Sequence, residues 1–406
     1  MFDTIPADHN CQSQLGALSP EGMKGLYDGA EQVMVPGTDP GTVKIARKAE
    51  GSCVFYGKDH LCAVHKILGA AAKPQVCRDF PYRYVETPGG SYVGLSFVCP
   101  SVRGNLGQAV SEQEDALLAH RKTAASVQDA PETIHLNRRI ALTWEEYLAL
   151  ESSFLDLLSA KELPVSIGLI ACSVVAAYVD AFEIQRDGTP RIGPGVRFHD
   201  NEVQDFLNVI KRAGYADAIN AAQRPRKISP MLRRMILGMF TSFANVLHRS
   251  TGRLGTVLAV VASYAVNASP WGRIRLKPIP GRVSHKRLAA GRLPSEGNQE
   301  ELLRRYVSHC IFRKDLLLGS NVTRRLRLLI LQVSLLPWYA EAEAASHGRA
   351  TPTDEDFSEA IAHVERLYGF HSKFFRFFEA NPYFDDIAES FMLRPSYPYF
   401  MLGALR

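Results

Sequence analysis

Four of the seven cysteines in this 406-residue chain fall within one window, Gly51 to Pro100: Cys53, Cys62, Cys77 and Cys99. Four thiolates at one point are the ligand set of tetrahedral zinc and equally of a four-cysteine iron–sulfur cluster, because both centres favour sulfur donors. Ligand count therefore does not choose the metal. The gaps of eight, fourteen and twenty-one residues are wider than the C-x2-C of zinc ribbons and ferredoxin loops, so the flanking residues carry more of the argument. Gly51, Gly57, Lys58 and Asp59 bracket the first pair, Arg78 and Asp79 follow the third cysteine, and Pro100 follows the fourth. These residues suit metal-binding loops better than the apolar surroundings of a core cysteine, and a Cys-Pro end turns the chain out of strand or helix. The expectation is a bound metal.

His60 and His65 flank Cys62, and Cys62 with His65 makes a Cys-x2-His pair, which leaves a Cys3His zinc site as the lesser alternative. Cys172 and Cys310 lie in apolar helical contexts and are expected to be buried thiols outside the site. His363 and His371, eight apart, fit surface or packing roles better than a metal.

At this point the residues carry a resemblance. The blocks GSCVFYGKDHLCAVHKILG, CRDFPYRY and LSFVCPS resemble, in order and content, the cysteine-cluster family that includes the bacterial flagellin lysine N-methylases. The late segments RYVSHCIFR and HVERLYGFHS are similar to that family's C-terminal helices. The resemblance implies transfer of methyl groups from S-adenosylmethionine to lysine side chains of a protein such as flagellin. It also implies an iron–sulfur cluster, 4Fe-4S with zinc as the alternative, on Cys53, Cys62, Cys77 and Cys99, with Arg78, Asp79 and Tyr82 beside it. One departure stands out. The family opens on a tight group of several cysteines, whereas this chain has the single Cys11, which is a possible fifth ligand. The departure implies either lost first ligands or a start assigned downstream of the real one.

The familiar nucleotide, hydrolase and zinc-protease signatures are absent, and so is the C-x3-C-x2-C of radical enzymes. Methyl transfer to lysine needs none of them. It requires a neutral amine aligned with the methyl group in a desolvated site, and tyrosines, carboxylates and carbonyls supply that without a short motif. The alternative from a different class is a metal-stapled helical scaffold, without turnover, whose basic stretch holds an acidic protein partner.

The expected architecture is mainly α: a small cysteine-rich metal-binding module over residues 1–121, then an irregular helical domain over 138–406. A β-hairpin within the module, RYVE and SYVGLSFV about Thr87-Pro88-Gly89-Gly90, brings Cys99 back toward Cys77. Residues 122–137, rich in Ala, Ser, Thr and Pro without apolar period, read as a linker. Thr143 with Glu146, and Thr353 with Asp356, are capping signals for two helices, the second running toward Glu379. Segments 165–185, 200–222, 229–248, 254–268, 297–316 and 321–347 are helix-compatible, and Pro337 should end or kink the last. The apolar runs Leu163–Val179 and Leu254–Trp271 contain Pro, Ser or Asn and fit core helices better than spans. The absence of a basic region followed by an apolar core at the start predicts a cytoplasmic protein, where an odd number of cysteines is not a disulfide framework.

Charge is unevenly placed. From Ala218 to Ser295 there are 14 Lys and Arg and no Asp or Glu, while the rest of the chain holds 33 basic and 42 acidic residues. The densest part is the loop 269–297, SPWGRIRLKPIPGRVSHKRLAAGRLPSEG, which suits an acidic protein, an anionic cofactor or a solvated loop. Nucleic acid is disfavoured, since no recognition helix, zinc finger or aromatic RNP pattern accompanies the charge.

Overall fold

The computed structural model of the protein describes residues 5–16, 33–37, 42–48, 52–59, 61–138, 140–187, 196–197, 207–208, 211–212, 214–224, 230–247, 272–319, 321–370, 372–380, 392, 394 and 396–402. It is mainly helical, with short strands, and it divides into two compact units. The first comprises residues 1–85 with 107–128, the second residues 86–106 with 129–406. Residues 86–106, with Cys99 among them, are grouped with the helical unit, and Cys53, Cys62 and Cys77 with the other.

The first unit has a small core of Ile5, Cys11, Leu15, Val33, Ile45, Val54, Phe55, Val64 and Ala72, against which Cys53, Cys62 and Cys77 pack. Around it stand the helix His9–Gly16, the antiparallel strands Met34–Pro36 and Val43–Ile45 with Met34 opposite Ile45, and the short helices Ala63–Leu68 and Gln75–Asp79. So few buried residues make a modest core, one that a metal would reinforce.

The second unit carries the main core. Its helices include Trp144–Ser159, Val165–Asp187, Pro230–Leu247, His285–Ala290, Gly297–Phe312, Val322–Ser346 and Asp354–Tyr368. Both expected capping boxes form: Thr143 and Glu146 exchange side-chain to backbone bonds of 3.2 and 2.8 Å, and Thr353 and Asp356 make the same exchange. Pro337 does not end its helix, which runs unbroken from Val322 to Ser346. Val333, Leu335, Leu336, Trp338 and Tyr339 are all buried around it, and their packing outweighs the roughly 3 kcal/mol a mid-helix proline costs. The helix that begins at Asp354 stops at Tyr368, and a separate one covers Lys373–Ala380. Gly369 breaks the run with extended backbone, where a Cβ would lie 2.3 Å from the Glu365 carbonyl oxygen.

The stretch 122–137 is more than a linker. It contains the strands Val127–Asp129 and Ile134–His135, and Ile134 and Leu136 are buried. Among the described residues no helix is long and apolar enough to cross a membrane. The Leu254–Trp271 run, the helix at 254–268, His60 and His371 lie outside the described residues.

Candidate metal centre

Cys53 and Cys62 stand on the two limbs of one closed loop. Tyr56 N donates to Cys53 O at 2.9 Å, Gly57 N to Leu61 O at 2.8 Å and Ala63 N to Phe55 O at 2.9 Å, and Tyr56 bridges Cys62. Asp59 folds back inside the turn, where its carboxylate accepts from Leu61 N at 3.1 Å and pairs with Lys66. Cys62 then sits in extended backbone at the N-cap of the Ala63–Leu68 helix. Cys77 lies mid-way in the Gln75–Asp79 helix, which Pro74 opens and the cis Phe80–Pro81 bond follows. All three are half-buried.

The fourth thiol against this core is Cys11, which is fully buried on the helix His9–Gly16. Asp8 joins its helix to that of Cys77: one carboxylate oxygen accepts from Cys11 N at 2.9 Å and the other from Gln75 N at 2.5 Å. Asn10 Nδ2 and Arg78 Nη1 both donate to Ala71 O, at 2.9 and 2.7 Å, and fasten the same two helices from the other side. Asp8 was not singled out from sequence. Its signal is the Asp-x-x-Cys spacing of a helix cap, a pattern too common to stand out alone.

The thiols sense one another. Burial foremost, then the charge of Asp8 and those of Cys53 and Cys62, pushes the Cys11 thiol up to about 11, against the lowering pull of Arg78. Burial and the Cys53 and Cys62 thiols push Cys77 up to about 12, partly opposed by Lys73. Burial also raises Cys53. The thiols of Cys11, Cys53 and Cys77, which burial keeps from ionising, are donors that a cation would convert to thiolates, so they fit a metal in kind. Among the described residues, no three His, Cys, Asp or Glu side chains stand close enough to hold one ion.

The residues around Cys77 brace its helix. Asp79 accepts from Gln75 Nε2 at 2.6 Å and from Ala125 N at 3.1 Å, and faces His120 Nε2 at 3.7 Å. The ring of Tyr82 lies 5.3 Å from that of His120. His120 Nε2 is 3.2 Å from Arg78 O and Nδ1 is 2.9 Å from the Tyr84 hydroxyl. Because a carbonyl only accepts, the contact with Arg78 O puts a proton on Nε2. Asp79 and Tyr82 thus meet at His120, which no sequence pattern marked. His65 is exposed on the helix that Cys62 caps.

Cys99 has a different setting, at the N-cap of the Pro100–Arg103 turn of helix. The preceding segment is held by charged groups of the helical unit. Glu365 accepts from Phe97 N at 2.8 Å and Ser96 Oγ at 3.2 Å, and Arg313 Nη1 donates to Leu95 O at 2.8 Å. His309 Nε2 accepts from Leu95 N at 2.7 Å, and buried Arg103 donates to Phe97 O and Val98 O, each at 2.9 Å. Gly94 permits the approach, because a Cβ there would lie 2.3 Å from Arg313 Cβ. Cys172 and Cys310 are buried in the main core, as expected. His363 packs at its edge with Nε2 2.6 Å from Glu343.

Comparison of the chain with protein-family models, with curated proteins and with solved structures finds no match.

Proposed function

We propose that this chain is a thiolate–metal protein whose cysteine module, with its β-hairpin, carries an iron–sulfur cluster. Its proposed activity is S-adenosylmethionine-dependent methyl transfer to lysine side chains of a protein substrate such as flagellin. The observation that carries the metal is the gathering of Cys53, Cys62 and Cys77, far apart in sequence, against one small core. Cys99 is the proposed fourth ligand by its sequence block alone, and Cys11 is the candidate fifth by its place in that core. A single zinc ion requires sulfurs about 2.3 Å from one point, hence roughly 3.8 Å from one another. A cluster takes each thiolate on a separate iron. The choice of the cluster over zinc rests on the resemblance of the cysteine blocks.

The activity rests on the resemblance of the cysteine blocks. S-adenosylmethionine supplies the methyl group, and the structure assigns no residue to it. Saturable S-adenosylmethionine binding by metal-replete protein, with methyl transfer to lysines of flagellin, is the expected result. No binding to metal-replete protein overturns the enzyme reading. A metal-stapled scaffold for an acidic protein is the second reading, favoured by the acid-free basic stretch, and it predicts partner capture unaffected by removal of S-adenosylmethionine.

A further inference from the structure

The 78 acid-free residues contribute two helices and a loop to one neighbourhood of the helical unit. The helix Pro230–Leu247 packs on His285–Ala290, which in turn packs on Val322–Ser346. Arg233 and Arg234 lie on the first, His285 opens the second, and Arg292 follows it. His285 is only 1 % exposed, yet neither ring nitrogen has a hydrogen-bond partner. Its ring meets Trp338 edge to face at 6.1 Å, which fixes its plane without satisfying either nitrogen. Arg233 Nε and Arg234 Nε are also buried without partners.

Unpartnered buried nitrogens are rare in folded proteins, because each forfeits its hydrogen bonds to water. Among the described residues, none of Arg233, Arg234, His285 and Arg292 is paired with a carboxylate, while nearby Arg287 is neutralised by Glu341 at 2.9 Å. Burial and the charge of Arg292 hold Arg233 down to about 10, and burial and the charge of Arg234 lower His285. Arg233 thus lies within electrostatic reach of Arg292, and His285 within that of Arg234. An oxyanion would satisfy the nitrogens and offset the repulsion together, with charge-assisted bonds from guanidinium groups.

We propose that Arg233, Arg234, His285 and Arg292 form a binding site for a phosphate-bearing small anion. This site is separate from the cysteine module and does not depend on the function proposed for it. The burial of His285 selects a small group over a macromolecular surface, and the exposed Arg292 stands at its entrance.

The test is calorimetry and thermal unfolding of the full chain with inorganic phosphate, against sodium chloride at equal ionic strength. Saturable binding of phosphate is expected, with a higher Tm than in chloride. Binding should weaken about tenfold in Arg292→Ala, whose exposed side chain is not needed for folding, and at least as much in Arg233→Ala. Arg282→Ala, an exposed arginine of the same stretch, should bind as wild type. An equal Tm rise in chloride, or unchanged binding in both Arg292→Ala and Arg233→Ala, overturns the proposal. An acidic peptide that binds in place of phosphate also overturns it, and makes the face a protein-docking surface.

Discussion

Two groups of buried cations in the helical unit are solved in opposite ways. Arg313 and Lys314 end the helix Gly297–Phe312 and are almost wholly buried. Arg313 reaches Asp315 at 2.6 Å and Glu365 at 2.9 Å, and Lys314 pairs with Glu151, whose other oxygen accepts from the Tyr147 hydroxyl at 2.7 Å. Lys314 Nζ also lies 3.8 Å from the centre of the Tyr92 ring, with Trp144, Tyr147 and Phe312 at 5.7–5.8 Å. Among the described residues, Arg233, Arg234 and His285 have no such carboxylates. A charge with its counter-charge built in is part of the fold, and removing either member leaves the other stranded. A charge without one leaves room for a ligand to bring it.

The difference fixes the sign of several effects. The largest is expected for Glu365→Ala, which strands Arg313 and frees Phe97 N and Ser96 Oγ. Urea unfolding should show a loss of about 3–5 kcal/mol, and a loss below about 1 kcal/mol would remove the first group from the comparison. Lys314→Met should cost about 3 kcal/mol. It costs less than a fixed charge would, because burial already raises Glu151 and lets it take a proton. The double change Lys314→Met with Glu151→Leu should recover most of that loss, and a purely additive cycle would show that the pair is not coupled.

Arg233→Met is expected to go the other way. In phosphate-free buffer it should leave stability unchanged or raise it by up to about 1 kcal/mol, since it removes a cation that burial and Arg292 disfavour. The sign in pH agrees. A base whose folded pKa lies below its unfolded value destabilises the fold while it is charged, and that penalty lifts only as pH rises through about 10. A loss of more than 1 kcal/mol in Arg233→Met would mean that the second group is also neutralised.

The smallest effect is set by the cap at Thr353. Thr353→Ala should cost about 1 kcal/mol. Burial alone would raise Asp356, but Arg349 and Thr353 outweigh it and hold the carboxyl below its usual range. Its contribution is therefore present above about pH 4 and lost as pH falls through the lower folded pKa. Acid unfolding of Asp356→Asn should lack that component.

Local pattern was legible in sequence where one short stretch decides the outcome. Both capping boxes were readable because hydroxyl and carboxylate lie three residues apart and bond within one turn. The turn between Cys53 and Cys62 was readable because Gly57, Lys58 and Asp59 close it within a few residues. What escaped was contact at long range. Cys11 looked isolated, yet it shares the core of the other three through Asp8. Glu365, 268 residues from Phe97, carries no mark of the backbone it holds, and His120 none of its place between Asp79 and Tyr84. Pro337 and Gly369 show local rules overruled in both directions, one by burial on either side and the other by a backbone that admits no Cβ. The acid-free stretch was plain as a count, but that Arg234 lies near a buried histidine needed the fold.

The central claim is the thiolate-bound cluster, and its most direct test is iron and acid-labile sulfide analysis with an absorption spectrum after anaerobic purification. Wild type is compared with Cys77→Ser, Cys11→Ser and Cys99→Ser. The expected result is iron with sulfide in the wild type, lost in Cys77→Ser and in whichever of Cys11→Ser and Cys99→Ser removes the fourth ligand. Zinc without sulfide would reduce the site to a structural staple, and neither metal in the wild type would contradict the account outright.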